Sequence, residues 1–375
     1  MVTRYGEDAV RSIPWADIAS PLVAAEEAVA RLDERLARSP VRSGLIERFH
    51  FHDAVAALWL EGELVQLEDL VLHDAHMDIR TPTHELTRAH AVLRARRQIS
   101  TRRPDWALGR KGVRQLSGGG ALDVTMGGGE EGEGAVGVAA GLDAAALDTE
   151  DKLAAEFAAI DAVLARASAV LDGATVARPT APLPRDPLIF DPEWDEAARL
   201  DDWRAVLDRS ADLPPVLAAA ILWDVWEEIG PLQRRGWLGT LLIEALLRQR
   251  GKTKTHLLAL NSGLRAIARD RRRHRDRTTR LKAFLAAVSE AAALGLKEHD
   301  RLTLAHEQMQ RRTGNRRQNS RLPQFVDFVL ARPLVSSAMI EKELEISTRG
   351  ALNLVGELGL REITGRGRYR AWAIM

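Results

Sequence analysis

The 375-residue sequence contains no cysteine. Disulfides, thiolate metal sites and cysteine nucleophiles are thereby excluded. Aromatic residues are scarce, at 5% of the chain, and with abundant alanine this favours helices over sheets. No apolar run approaches the roughly 20 residues that cross a bilayer. Met1 to Ser20 carries Glu7, Asp8 and Asp17 where a secretory leader would have an apolar core. A soluble, cytoplasmic protein without a membrane partner is expected. Neither sign of charge is in excess, since 53 basic and 53 acidic side chains cancel. The balance hides a division. Residues 1–229 hold 24 Lys and Arg against 40 Asp and Glu, whereas residues 230–375 hold 29 against 13. That pattern implies an acidic body with a basic, polyanion-seeking end.

What is present is clearest at 321–375. Leu322, Phe325, Phe328 and Val329 recur at helical spacing until Pro333. Ser336 or Ser337 can cap a second helix with Met339, Ile340 and Leu344 inward, and Ser347 a third with Ala351, Leu354, Val355 and Leu358 inward. Gly359 stops it. Two short strand-like runs then flank the turn Thr364-Gly365-Arg366-Gly367, which predicts a hairpin. Three short helices and a hairpin resemble a winged helix-turn-helix. On that pattern Thr348, Arg349 and Asn353 face outward from the first half of the third helix. Arg and Asn fit guanine and adenine edges in a major groove, and Arg366, Arg368 and Arg370 would meet phosphates from the hairpin. The strand alternation is imperfect, because Trp372 falls on the arginine face. The blander alternative is a winged helix that binds protein or closes a larger domain.

The preceding chain divides into a helical N-terminal domain (1–116), a Gly-rich flexible linker (117–148) and a second helical core (149–320). Helices are expected from Ser20-Pro21, through Ile46 to Leu58, over Leu64 to His73, and from Thr81-Pro82 onward. The last of these would turn Arg94, Arg96 and Arg97 to solvent. Ten of the residues between Ser117 and Gly141 are glycine. Gly132, Gly134 and Gly137 formally match a dinucleotide fingerprint, but no strand precedes them and the neighbouring glutamates would repel pyrophosphate. Leu153, Phe157, Ile160, Leu164 and Leu171 form a seam that offers a surface for a homodimer. After the proline-rich stretch 179–192, Val216 to Trp226 is apolar almost all round and should lie at the centre of its domain. Arg265 to Lys282 is the densest basic stretch. Its members Arg271, Arg272, Arg273, Arg275 and Arg277 are candidates for non-specific contact with nucleic acid, and a second basic run follows from Arg311 to Arg321.

Several of these features together resemble the Fic (Fic/Doc) family. Leu60-Glu61-Gly62 matches an aliphatic-Glu-Gly signature, with Ala57 where a serine is usual. Trp226-Glu227-Glu228-Ile229 leads into Gly230-Pro231-Leu232, and Gly236, Gly239 and Leu241-Leu242 follow. The resemblance implies a mainly α protein, a Fic-like helical body followed by a C-terminal winged helix-turn-helix. It also places Gly230 where the family has its catalytic histidine, and the Asn-Gly-Arg part of the anion nest is missing. Without a general base and a phosphate cradle, adenylyl transfer is not expected. The chain is similar, too, to uncharacterised bacterial proteins with a helical N-terminal domain and a C-terminal helix-turn-helix. Other catalytic spacings fail. His84-Glu85 lacks the second histidine of a zinc-protease helix, and His50, His52, His73 and His76 could bind metal only if their helices met. The expectation is a DNA-binding protein and transcriptional regulator without catalysis, cofactor or metal. The alternative is a catalytically inactive Fic-like interaction module.

Overall fold

Apolar residues three and four apart set the elements of the chain. The structure is a computed structural model and describes residues 10–78, 81–118, 191, 193–313, 321–363 and 370–374. The glycine-rich linker from 119 on, the 153–171 seam, most of the proline-rich connector, 314–320, Arg366 and Arg368 lie outside the described residues. The chain divides into one unit of Met1–Leu122 with Trp194–Met375 and a second of Asp123–Glu193.

The N-terminal helices of the first unit are α1 (Trp15–Ala37), α2 (Arg42–Leu60), α3 (Leu67–Asp74), α4 (His84–Thr101) and α5 (Arg110–Leu116). α1 starts ahead of the expected Ser20 and carries Pro21 within it. The buried stripe Ile18, Leu22, Ala25, Val29, Leu32 and Leu36 extends through both turns around that proline, so packing outweighs the missing hydrogen bond. Thr83 caps α4 by accepting from the Leu86 N–H at 3.2 Å.

The second run comprises α6 (Glu196–Arg209), α7 (Pro215–Ile229), α8 (Leu238–Gln249), α9 (Leu260–Ala266), α10 (Arg269–Arg272) and α11 (Arg277–Thr313). Every residue of α7 from Val216 to Trp226 is buried, as its all-round apolarity requires. α11 lies along α1. Lys282 meets Asp17 at 2.7 Å and Arg35 meets Asp300 at 3.3 Å, equal steps along both helices, so the two run parallel.

The chain closes with α12 (Leu322–Ala331), β1 (Val335–Ser336), α13 (Ser337–Leu344), α14 (Thr348–Leu358), β2 (Arg361–Glu362) and β3 (Ala371–Ala373). The protein is mainly α. Its small antiparallel sheet has the order β1-β3-β2. β2 and β3 form the expected hairpin, with Glu362 opposite Trp372. β1 was not foreseen. Two residues are too few to show alternation, and Val335 is in register with Trp372 only once β3 is in place.

The arginine trio of α4 corrects the sequence expectation. Arg94 is exposed, but Arg96 is fully buried and Arg97 partly so. Arg96 bonds Asp53 of α2 and Glu244 of α8. Asp53 also accepts from the Asn261 side chain at 2.7 Å and the Ser262 N–H at 3.0 Å, while Glu244 accepts from the Leu260 N–H at 3.2 Å. One guanidinium thus ties four helices together. Burial, only partly offset by Arg96, pushes the Glu244 carboxyl well above the ordinary range. Arg97 grips Asp74 through two bonds, at 2.7 and 3.0 Å. The burial of these cations is explained by carboxylates supplied from other helices, which no spacing within α4 reveals.

Candidate nucleic-acid interface

α13 and α14 are each started by a serine. Ser336 Oγ accepts from the Met339 N–H at 3.2 Å, and Ser347 Oγ accepts from the Gly350 N–H at 3.3 Å. Glu345, at φ 52°, makes the turn between them. α14 buries Ala351, Val355 and Leu358, with Leu354 partly buried, and ends at Gly359 in the left-handed conformation. Thr348, Arg349 and Asn353 are exposed, as expected. Arg349 and Asn353 stand four residues apart on one face. Leu352, 38% exposed, lies beside them and was not singled out from the sequence. An arginine in the first turn opposes the helix dipole, and no acidic residue accompanies it there. Helix stability therefore does not account for Arg349.

The hairpin side is described only at its flanks. Arg370 is exposed and pairs with Glu362 at 2.6 Å, and its guanidinium lies 5.3 Å from the ring centroid of Trp372. Glu362 holds the Arg370 guanidinium above its ordinary pKa. Trp372, whose place on the arginine face broke the expected alternation, is buried. Arg370 covers that indole while staying at the surface.

Three arginines of the body hold the other ends of these elements. Arg48 of α2, nearly fully buried, donates to Leu330 O at 2.6 Å and Val329 O at 2.9 Å, the last carbonyls of α12. Burial lowers its pKa to about 10, and Glu298 of α11, 3.6 Å away, works against that shift. Arg301 donates to Ile374 O at 2.6 Å, and Arg312 donates to Leu358 O at the end of α14. Gly44 of α2 comes so close to α12 that a Cβ there would lie 2.9 Å from the Leu330 backbone. The C-terminal ends of α12 and α14 are thus satisfied by cations, and the N-terminal half of α14 is left facing out. None of these arginines was named from the sequence. The available signal was Arg48, which sits between Leu45 and Phe49 on an otherwise apolar face.

The basic stretch before α11 separates. Arg271, Arg273 and Arg275 are exposed, as the polyanion expectation needs. Arg272 and Arg277 depart from it. Arg272 is buried and donates to Ile267 O at 2.9 Å, and Arg277 binds buried Asp224 at 3.0 Å. Asp224 lies on α7, 53 residues earlier, so the separation in sequence concealed the pairing.

Among the described residues no group of three or more His, Asp or Glu could hold a metal ion. Glu61 accepts from the Trp237 N–H at 2.7 Å and pairs with Arg88, and Gly230 closes α7 in a left-handed conformation. No described helix is long and apolar enough to cross a membrane.

Residues 188–314 match the family model described as "Protein of unknown function (DUF1612)", and residues 322–375 match the one described as "HTH DNA binding domain". Neither description names the Fic family. A curated relative from Sinorhizobium fredii, "Uncharacterized protein y4cF", is 50% identical over 359 residues, covering 92% of this chain and 93% of the relative. The chain belongs to the family of that protein, and in this chain the domain of unknown function is followed by a helix-turn-helix DNA-binding domain.

Proposed function

We propose that the protein is a sequence-specific DNA-binding transcriptional regulator that acts without catalysis. The observation that carries this reading is the exposed pair Arg349 and Asn353 on the N-terminal half of α14, within a segment that matches a DNA-binding helix-turn-helix. In this reading α14 enters the major groove, with Arg349 on guanine and Asn353 on adenine. The hairpin acts as a wing, and Arg366, Arg368 and Arg370 hold phosphates. Arg370 exchanges Glu362 for phosphate when it does so.

Selection of bound fragments from random duplex DNA tests the proposal. An enriched motif is expected, and none with folded protein would overturn it. On the selected site Arg349→Ala should cost about 1–3 kcal/mol of binding and relax the preference at one position, while Arg370→Ala should weaken all sequences alike.

A further inference from the structure

Between Arg265 and Lys282 the chain carries nine Lys and Arg side chains, and the fold sorts them by what they touch. Arg277 and Arg280 converge on buried Asp224, at 3.0 and 2.6 Å. Arg272 is folded back onto Ile267, Lys282 pairs with Asp17, and Arg265 lies over the Trp59 ring at 5.1 Å. Arg269, Arg271, Arg273 and Arg275 remain, all exposed, with neither a side-chain hydrogen bond nor an ion pair among the described residues.

The acids around them leave this charge standing. Asp276 caps α11, accepting from the Thr279 N–H at 2.8 Å and its hydroxyl at 2.7 Å. Glu228 reaches Arg280 at 4.0 Å. Glu227 faces Arg272 and Arg273 and offsets part of the charge there, but not at Arg269, Arg271 or Arg275. Within the run Asp270 alone is an exposed acid without an ion pair among the described residues. Among the described residues no exposed large apolar side chain belongs to 265–282 itself, and the nearest in the chain packed against it is Trp15 of α1.

Position gives the cluster its meaning. It adjoins the start of α11, whereas the helix-turn-helix is fastened to the far part of the same helix by Glu298 with Arg48, by Arg301 and by Arg312. At 1.5 Å per residue, Arg277 lies about 36 Å from Arg301 and about 53 Å from Arg312 along α11. That is roughly one to one and a half turns of B-DNA.

We infer that Arg269, Arg271, Arg273 and Arg275 form a second, sequence-independent contact, which holds duplex phosphates about one to one and a half helical turns outside the site read by α14. The inference rests on the DNA-binding reading of α14, but its arginines are separate from that surface. Four planar guanidiniums with no internal acceptor are suited to phosphate oxygens.

The test uses the full chain with Arg269, Arg271, Arg273 and Arg275 all changed to Gln. Affinity is measured against salt on the selected motif within a short duplex of about 12 base pairs and a long one of about 60, where each lost phosphate contact lowers the salt slope by about 0.9. On the long duplex the slope should fall by roughly 3–4, and on the short one it should not change. Thermal unfolding of the variant should match the parent closely, since these side chains make no side-chain hydrogen bond or ion pair among the described residues. An unchanged slope on both duplexes, or an equal loss on both, would overturn the inference. If no motif is enriched, the same variant on arbitrary duplexes of the two lengths still tests this surface. A slope that still falls on the long arbitrary duplex, with no motif enriched, would mark failure of the α14 reading alone.

Discussion

Arg94 to Arg97 in α4 and Arg269 to Arg275 around α10 look alike in the sequence, as arginines crowded on short helical segments. The fold treats them in opposite ways. Arg96 is sealed between Asp53 and Glu244, and Arg97 is gripped by Asp74 and Glu47. Four of the later arginines form no ion pair among the described residues and stay exposed, although Glu227 faces one of them, Arg273. The difference lies in which helices arrive opposite. α4 is met by α2, α3 and α8, each of which brings acids. α10 is followed by a turn at the surface, and α7 supplies Asp224 only to the two arginines at the start of α11. Arginine density therefore marks either a structural node or a polyanion surface, and long-range partners decide which.

The largest expected effect breaks the comparison directly. Arg96→Ala leaves Asp53 and Glu244 buried together without their cation, and should cost about 3–5 kcal/mol in urea unfolding. Arg271→Ala should stay within about 0.5 kcal/mol. Equal losses at the two sites would end the distinction between them.

A smaller effect is expected at the joint between body and helix-turn-helix. Arg48→Ala strands two buried carbonyls of α12 and should cost about 2–3 kcal/mol. Hydrogen exchange should quicken in α12 well before α7. Uniform quickening would mean that Arg48 supports the whole core and not this joint.

The mildest test varies pH at the buried node. His50 is fully buried beside Arg96 and Arg97, and burial, then those charges, hold its pKa well below 6.5. As pH falls below 6.5 the unfolded chain gains a proton that folded His50 refuses. Stability should therefore decline by about 1.4 kcal/mol per pH unit for that group. Asp74, held low by His90 and Arg97 against the opposing effect of burial, keeps its contribution at these pH values and loses it only as pH falls below the ordinary carboxylate range. His50→Gln should reduce the slope between about pH 6.5 and 5 by one proton's worth. A slope that does not change would place the titrating group elsewhere.

Local chemistry explains what could be read in advance. The helices 322–331, 337–344 and 348–358 are written in short-range terms, namely serine caps, apolar residues three and four apart, and Gly359 at the stop. Their outward residues follow from the same period, which is why Arg349 and Asn353 were legible. α7 was legible because an all-apolar helix has only one place to go. Arg48, Arg301 and Arg312 were not legible as the clasps of the helix-turn-helix, since each bonds carbonyls that lie distant in sequence. Nothing in their neighbours announces that contact.

The sequence alone thus determined a helical chain with a DNA-binding type of end and a charge division between its parts, because these depend on composition and on periods of a few residues. Tertiary structure decided which arginines are spent inside the protein and which are left for a partner. A buried guanidinium must find acceptors, and whether acceptors are there depends on helices dozens to hundreds of residues away. It also decided that α14 presents its N-terminal half outward, because Arg312 of α11 fixes its other end.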